Sequence, residues 1–137
     1  MVTPMRMILA TLLLGHGVAH VVGFAVPWKL VISSEVPYRT TVAGGFVDIG
    51  PAGVRLVGIL WLLVAVAFVS VAAGVLQHAT WWYRESLAIV MVSLVLCILG
   101  WPESRPGMVA NLLILMLLLA GSVLGWYPDA YAGTPVE

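Results

Sequence analysis

Three histidines, one cysteine and six side-chain carboxylates are the metal-ligating and proton-transferring groups of this 137-residue chain. Two of the histidines, His16 and His20, lie inside one apolar run, Met7 to Val26, reading MILATLLLGHGVAHVVGFAV. Four residues apart on a helix, they share a face. Paired imidazoles at that spacing can grip one metal ion, as in HExxH sites, but Gly17, Val18 and Ala19 between them offer no general base. Further ligands would have to come from Asp48, Glu103 or Asn111, so no metal is favoured, with His16 and His20 its only candidates. Haem could take one of the two as an axial ligand, not both, because residues four apart on one helix cannot reach opposite faces of a porphyrin. No cofactor is favoured. Cys97 has no neighbouring base and no serine sits in a nucleophile-elbow pattern, which leaves covalent catalysis unsupported. The histidine pair suits hydrogen bonding to the polar end of an apolar molecule such as a quinone or lipid, or relaying a proton.

The elements that must position these groups follow from composition. The chain is 62% hydrophobic and 9% charged, with a mean hydropathy of +1.10. Soluble domains carry about a quarter charged residues. This is the composition of a membrane protein, and the lipid bilayer is its first partner. Zero net charge and the lack of any basic run exclude a nucleic-acid footprint and a polybasic lipid-binding patch. A single cysteine excludes an internal disulfide.

Four apolar runs are long enough for a hydrocarbon layer of about 30 Å. They cover about residues 5–26, 54–76, 82–101 and 108–127, one integral membrane domain over 1–127, followed by a short polar tail, 128–137. The first reads as a retained span, because it ends in FAVPWK without a small-x-small cleavage site. Pro27 stops it, and Trp28 and Lys29 suit the headgroup level. Trp81, Trp82 and Tyr83, with Trp126 and Tyr127, would form the aromatic belt at the opposite face. Two short connections force antiparallel neighbours. The expected fold is therefore all-α, an antiparallel four-helix transmembrane bundle with a long loop, residues 27–53, between helices 1 and 2. Its TTVAGGFVDIG stretch could fold as a short hairpin capping the bundle. Gly15, Ala19 and Gly23, and Gly121 with Gly125, are spaced for close helix approach. Lys29, Arg39, Arg55 and Arg105 on the loop face outnumber Arg6 and Arg84 on the terminal face, which leans toward external termini.

In an antiparallel bundle, residues at equal depth share a layer whichever helix carries them. Counting from the loop face at 1.5 Å per residue puts Asn111 and Cys97 roughly 5 Å deep, His20 and Trp61 roughly 9 Å, and His16 about 15 Å, near Ser93. Arg55 and Glu103 lie at the rim. Polar groups thus gather between the midplane and the long loop that carries Asp48. The candidate ligand-binding residues are His16, His20, Arg55, Trp61, Asn111 and Asp48. The competing reading is interhelical glue, with His20 and Asn111 bonding each other or backbone carbonyls.

The stretch GHGVAHVVGF in the first run, WLL in the second, WWY before the third and PGMVANLLILMLLL in the fourth resemble a family of small four-span bacterial membrane proteins. More remotely the layout is similar to DoxX-like four-helix proteins. The resemblance implies a four-span protein of the bacterial inner membrane and transfers no catalytic role. Family members tend to carry basic amino termini and a basic second loop, implying internal termini; Arg6 and Arg84 are what this chain retains of that pattern. The expected function is a non-enzymatic accessory or small apolar-ligand-binding protein with its pocket under residues 27–53, alone, as a homo-oligomer or within a larger membrane complex. The alternatives are a membrane redox or quinone-linked enzyme component using His16 and His20, and a small proton-coupled transporter subunit.

Overall fold

The computed structural model describes residues 3–32 and 34–128. Four helices, each long and apolar enough to cross a membrane, run α1 Pro4–Ala25, α2 Gly50–Leu76, α3 Trp82–Leu99 and α4 Arg105–Val123. The tail expected at 128–137 falls, apart from Pro128, outside the described residues.

Three of the four helices, α1, α2 and α4, start with a proline at the first or second position. Thr3 caps α1, its hydroxyl accepting from the Arg6 N–H at 3.4 Å, and Pro4 supplies the fixed φ of a first turn. Proline occupies the first turn of α2 and α4 as well. Their ends share one device, a residue with positive φ followed by an N–H that reaches back five residues. Lys29 takes that conformation after α1 (Leu30 N to Ala25 O, 2.8 Å), His78 after α2 (Ala79 N to Gly74 O, 3.0 Å) and Gly125 after α4 (Trp126 N to Gly121 O, 2.9 Å). Lys29 and His78 hold a backbone region that costs a side-chain-bearing residue roughly 1–2 kcal/mol. Gly125 holds it without that cost.

The most extensive pairing is α1 with α2, followed by α2 with α3 and α3 with α4, while α1 touches α4 to close the ring. The tight point between α1 and α2 is Gly17, where a Cβ would lie 2.8 Å from Phe68 Cβ and 3.1 Å from the Ala65 carbonyl oxygen. The expected small-residue stripe divides instead: Gly15 and Ala19 are exposed, a Cβ at Gly15 would meet nothing, and of the three only Gly23 is closely covered, by the Trp61 ring. Gly121 likewise does not serve helix approach. Tyr127 folds back onto it, a Cβ there falling 2.1 Å from the phenol ring, because α4 has already ended at Val123 and the chain reverses at Gly125.

Leu9, Leu13, Phe68, Val75, Val90 and Leu118 form the centre of the core. Much of the remaining apolar surface faces outward, including Val18, Leu56, Leu63, Val95 and Met116, each more than half exposed. In water such a belt would drive aggregation; against lipid tails it needs no cover. The long loop folds as a small antiparallel hairpin, β1 Thr41–Val42 and β2 Val47–Asp48, around a 3₁₀ turn at Ala43–Gly45. It docks on the α3–α4 turn through Gly44 N–H, which donates to the Trp101 carbonyl at 3.1 Å.

Candidate functional site

His16 and His20 are 6% and 2% exposed and point into the bundle. Gly17 places them there, because its close seat against Phe68 and Ala65 turns this face of α1 toward α2. Their partners come from the other two helices. His20 Nδ1 lies 2.9 Å from the His16 carbonyl oxygen, which can only accept, so Nδ1 carries the proton. In the neutral ring Nε2 then accepts, and the Ser93 hydroxyl donates to it at 2.7 Å. Asn111 Nδ2 donates to Ser93 Oγ at 2.8 Å and to Cys97 Sγ at 3.6 Å. His16 Nε2 donates to Asn111 Oδ1 at 3.1 Å. The bonds close a circle that leaves His16 by its ring and returns to it by its carbonyl. Flipping the Asn111 amide would force the Ser93 proton toward Oδ1 and leave His20 Nε2 in need of a second proton, so the orientation is fixed by the network as a whole. Such a circle polarises each bond by the next.

Around the network the walls are apolar and aromatic. The His16 and His20 rings meet edge to face with centroids 4.4 Å apart. Phe68 packs on both, at 4.9 and 5.2 Å, and seals the side toward the bundle centre. Trp61 lies 4.8 Å from His20, wedged between Gly23 of α1 and Gly100 at the end of α3. Glycine is required at 23, where a Cβ would lie 2.5 Å from the indole, and is a tight fit at 100, where it would lie 3.2 Å away.

Toward the loop face the histidines open on a cavity of about 280 Å³. Val26, Val57, Trp61 and Leu99 give it apolar walls, Pro37, Tyr38 and Thr41 of the long loop roof it, and Gly107 of α4 lines it beside His16. At its mouth Arg39 Nη2 and Glu103 Oε1 form an ion pair at 3.1 Å that ties the roof to the α3–α4 turn. Ser104 below donates to the Cys97 carbonyl.

Of the residues singled out from sequence, His16, His20 and Trp61 line the cavity, and Asn111 stands behind His16 as its hydrogen-bond partner. Asn111 bonds His16 and not His20, whose partner is Ser93, one turn deeper in α3. Arg55 turns outward, its guanidinium 5.9 Å over the Trp28 ring while its carbonyl accepts from the Trp28 indole at 3.2 Å. Asp48 is also outside the cavity: its carboxylate accepts from Gly50 N–H at 2.9 Å and leads the chain into α2. Sequence reading passes over Ser93, Phe68 and Arg39 as site residues and offers Glu103 only as an oxygen ligand for a metal. Phe68 follows Trp61 by seven residues and Ser93 precedes Cys97 by four, so helical spacing would have placed both on the inner face.

For metal binding, no group of three or more histidine, cysteine or acidic side chains converges among the described residues. Both Nε2 atoms of the pair are already engaged by Asn111 and Ser93.

Comparisons with models of known protein families, with functionally characterised proteins and with solved structures return no match.

Proposed function

We propose that this chain is a multi-pass protein of a bacterial inner membrane, of the small four-span group its GHGVAHVVGF motif resembles, and that it binds a small apolar molecule as an accessory protein without transforming it. The observation that carries the reading is the cavity under residues 27–53, with apolar walls, the histidine pair at its inner end and an ion pair at its mouth. Ligand sites combine such walls with a few placed polar groups in volumes of roughly 300–1,000 Å³, so the occupant here is small. The glue role belongs to the same arrangement, since the network joins α1, α3 and α4 while it floors the cavity.

A quinone-linked redox component would use an imidazole N–H to hold a quinone oxygen. Both imidazole N–H groups are instead directed at protein acceptors, the His16 carbonyl and Asn111 Oδ1, which favours the non-enzymatic reading. A proton-coupled transporter subunit would need further copies or partners to enclose a water-filled path, since these four helices pack around a filled core.

Native mass spectrometry of the full chain titrated with 1-decanol tests the binding reading. One saturable adduct is expected, weakened at least about tenfold by Val57→Trp, which fills the cavity from α2. Absence of a saturable adduct, or equal binding by the two proteins, overturns it.

A further inference from the structure

The hydrogen-bond circle has a direction, and the direction selects a ligand. Every N–H and O–H in it is committed: His20 Nδ1 to the His16 carbonyl, Ser93 Oγ to His20 Nε2, Asn111 Nδ2 to Ser93 and Cys97, and His16 Nε2 to Asn111. One ring nitrogen of the histidine pair, His16 Nδ1, has no hydrogen-bond partner among the described residues. In a neutral ring protonated at Nε2 that atom is an acceptor. His16 lines the cavity, and the edge of its ring faces Gly107, where a Cβ would come within 3.7 Å of His16 Cε1. Glycine at 107 leaves Cε1, the ring carbon next to Nδ1, without a side chain over it.

We infer that the cavity binds a neutral apolar molecule carrying a hydroxyl, an alcohol or phenol, whose O–H donates to His16 Nδ1. This inference rests on the cavity being a ligand site and adds the polarity of the contact. A carbonyl or ether oxygen at the same place would face a lone pair with a lone pair. A hydroxyl supplies a donor to the ring nitrogen of the pair that has no partner among the described residues. Its hydrogen bond also extends the polarised chain, since a donor at Nδ1 makes the Nε2 proton a better donor to Asn111. The apolar walls accept the hydrocarbon body, and the volume limits it to one short chain or a single ring.

Two matched probes and one spectroscopic reading test this on the intact chain. With ¹⁵N-labelled histidine in detergent micelles, multiple-bond ¹H–¹⁵N spectra report which ring nitrogen carries the proton. The expected pattern is Nε2–H for His16 and Nδ1–H for His20. Adding 1-decanol should move the His16 Nδ1 resonance saturably, while 1-methoxynonane, of equal length without the O–H, should bind about tenfold more weakly, the scale of one neutral hydrogen bond. Equal binding of alcohol and ether overturns the ligand class and leaves the cavity as a ligand site. Binding of neither removes the ligand site and this inference with it. A proton on Nδ1 of His16 overturns the inference whatever binds.

Discussion

Both ends of the bundle bury polar side chains, and they do so in opposite ways. Under the long loop, neutral groups bond to one another beside a cavity. At the terminal end Arg6 is 1% exposed and completely enclosed: its Nη1 donates to the Val75 carbonyl at 2.9 Å, and its guanidinium lies 5.4 Å from the Trp82 ring centre and 5.9 Å from that of Tyr127. Trp82 and Tyr127 are themselves fully buried and meet edge to face at 5.2 Å. Rings that sequence reading assigned to a headgroup belt here wrap a cation. The comparison separates two uses of polarity inside a membrane protein. The buried charge is met by a carbonyl dipole and two aromatic rings. Neutral groups can satisfy one another in a ring and leave space beside them.

This contrast also alters the charge count across the membrane. Arg6 is one of only two basic residues on the terminal face, and it is packed in the protein core and not placed at the headgroups. Arg39 on the opposite face is paired with Glu103.

The contrast can be broken most strongly at the filled end. Arg6→Ala is expected to lower stability by about 3 kcal/mol, the scale of truncating a large buried side chain, while 1-decanol binding is retained. Thermal unfolding in detergent alongside native mass spectrometry reads both, and an unchanged melting temperature would show that the terminal end is not packed as one unit. At the open end, Ser93→Ala leaves His20 Nε2 and Asn111 Nδ2 without their shared partner, at a cost of about 1–3 kcal/mol. Unlike Arg6→Ala, it should also change the histidine ring spectrum, and an unaltered spectrum would mean that Ser93 is not the hub. The smallest effect belongs to Arg39→Ala at the cavity mouth. Arg39 is 48% exposed, so its ion pair with Glu103 should contribute below about 1 kcal/mol and weaken further in salt. A larger loss of thermal stability would identify the roof as a structural clamp.

Much of the site was legible because membrane helices translate sequence number into depth. The layer count gathers His16, His20, Trp61 and Asn111 in one half of the bundle, where they lie. It sets His16 level with Ser93 and well below Asn111, whereas His16 bonds Asn111 and Ser93 bonds His20. Depth says nothing of azimuth, and azimuth decided the remainder. Arg55 and Asp48 have the right height and point away, toward Trp28 and the α2 start. Ser93 has an ordinary side chain, and its place as the shared partner of His20 and Asn111 depends on how α3 is rotated against its neighbours. The glycines make the same point. Spacing by four cannot tell Gly15, which meets nothing, from Gly23, which seats an indole, and it misses Gly17 because the close crossing falls between them.

What this sequence determined by itself is the number of helices, their limits to within a turn or so, their apolar character and the level at which polar groups accumulate. Those properties come from local composition, rise per residue and the proline and glycine positions that begin and end helices. Tertiary structure alone decided which polar groups bond and which end of the bundle stays open. Each depends on helix rotation and on a chain reversal after α4, long-range packing outcomes that no short stretch of residues encodes.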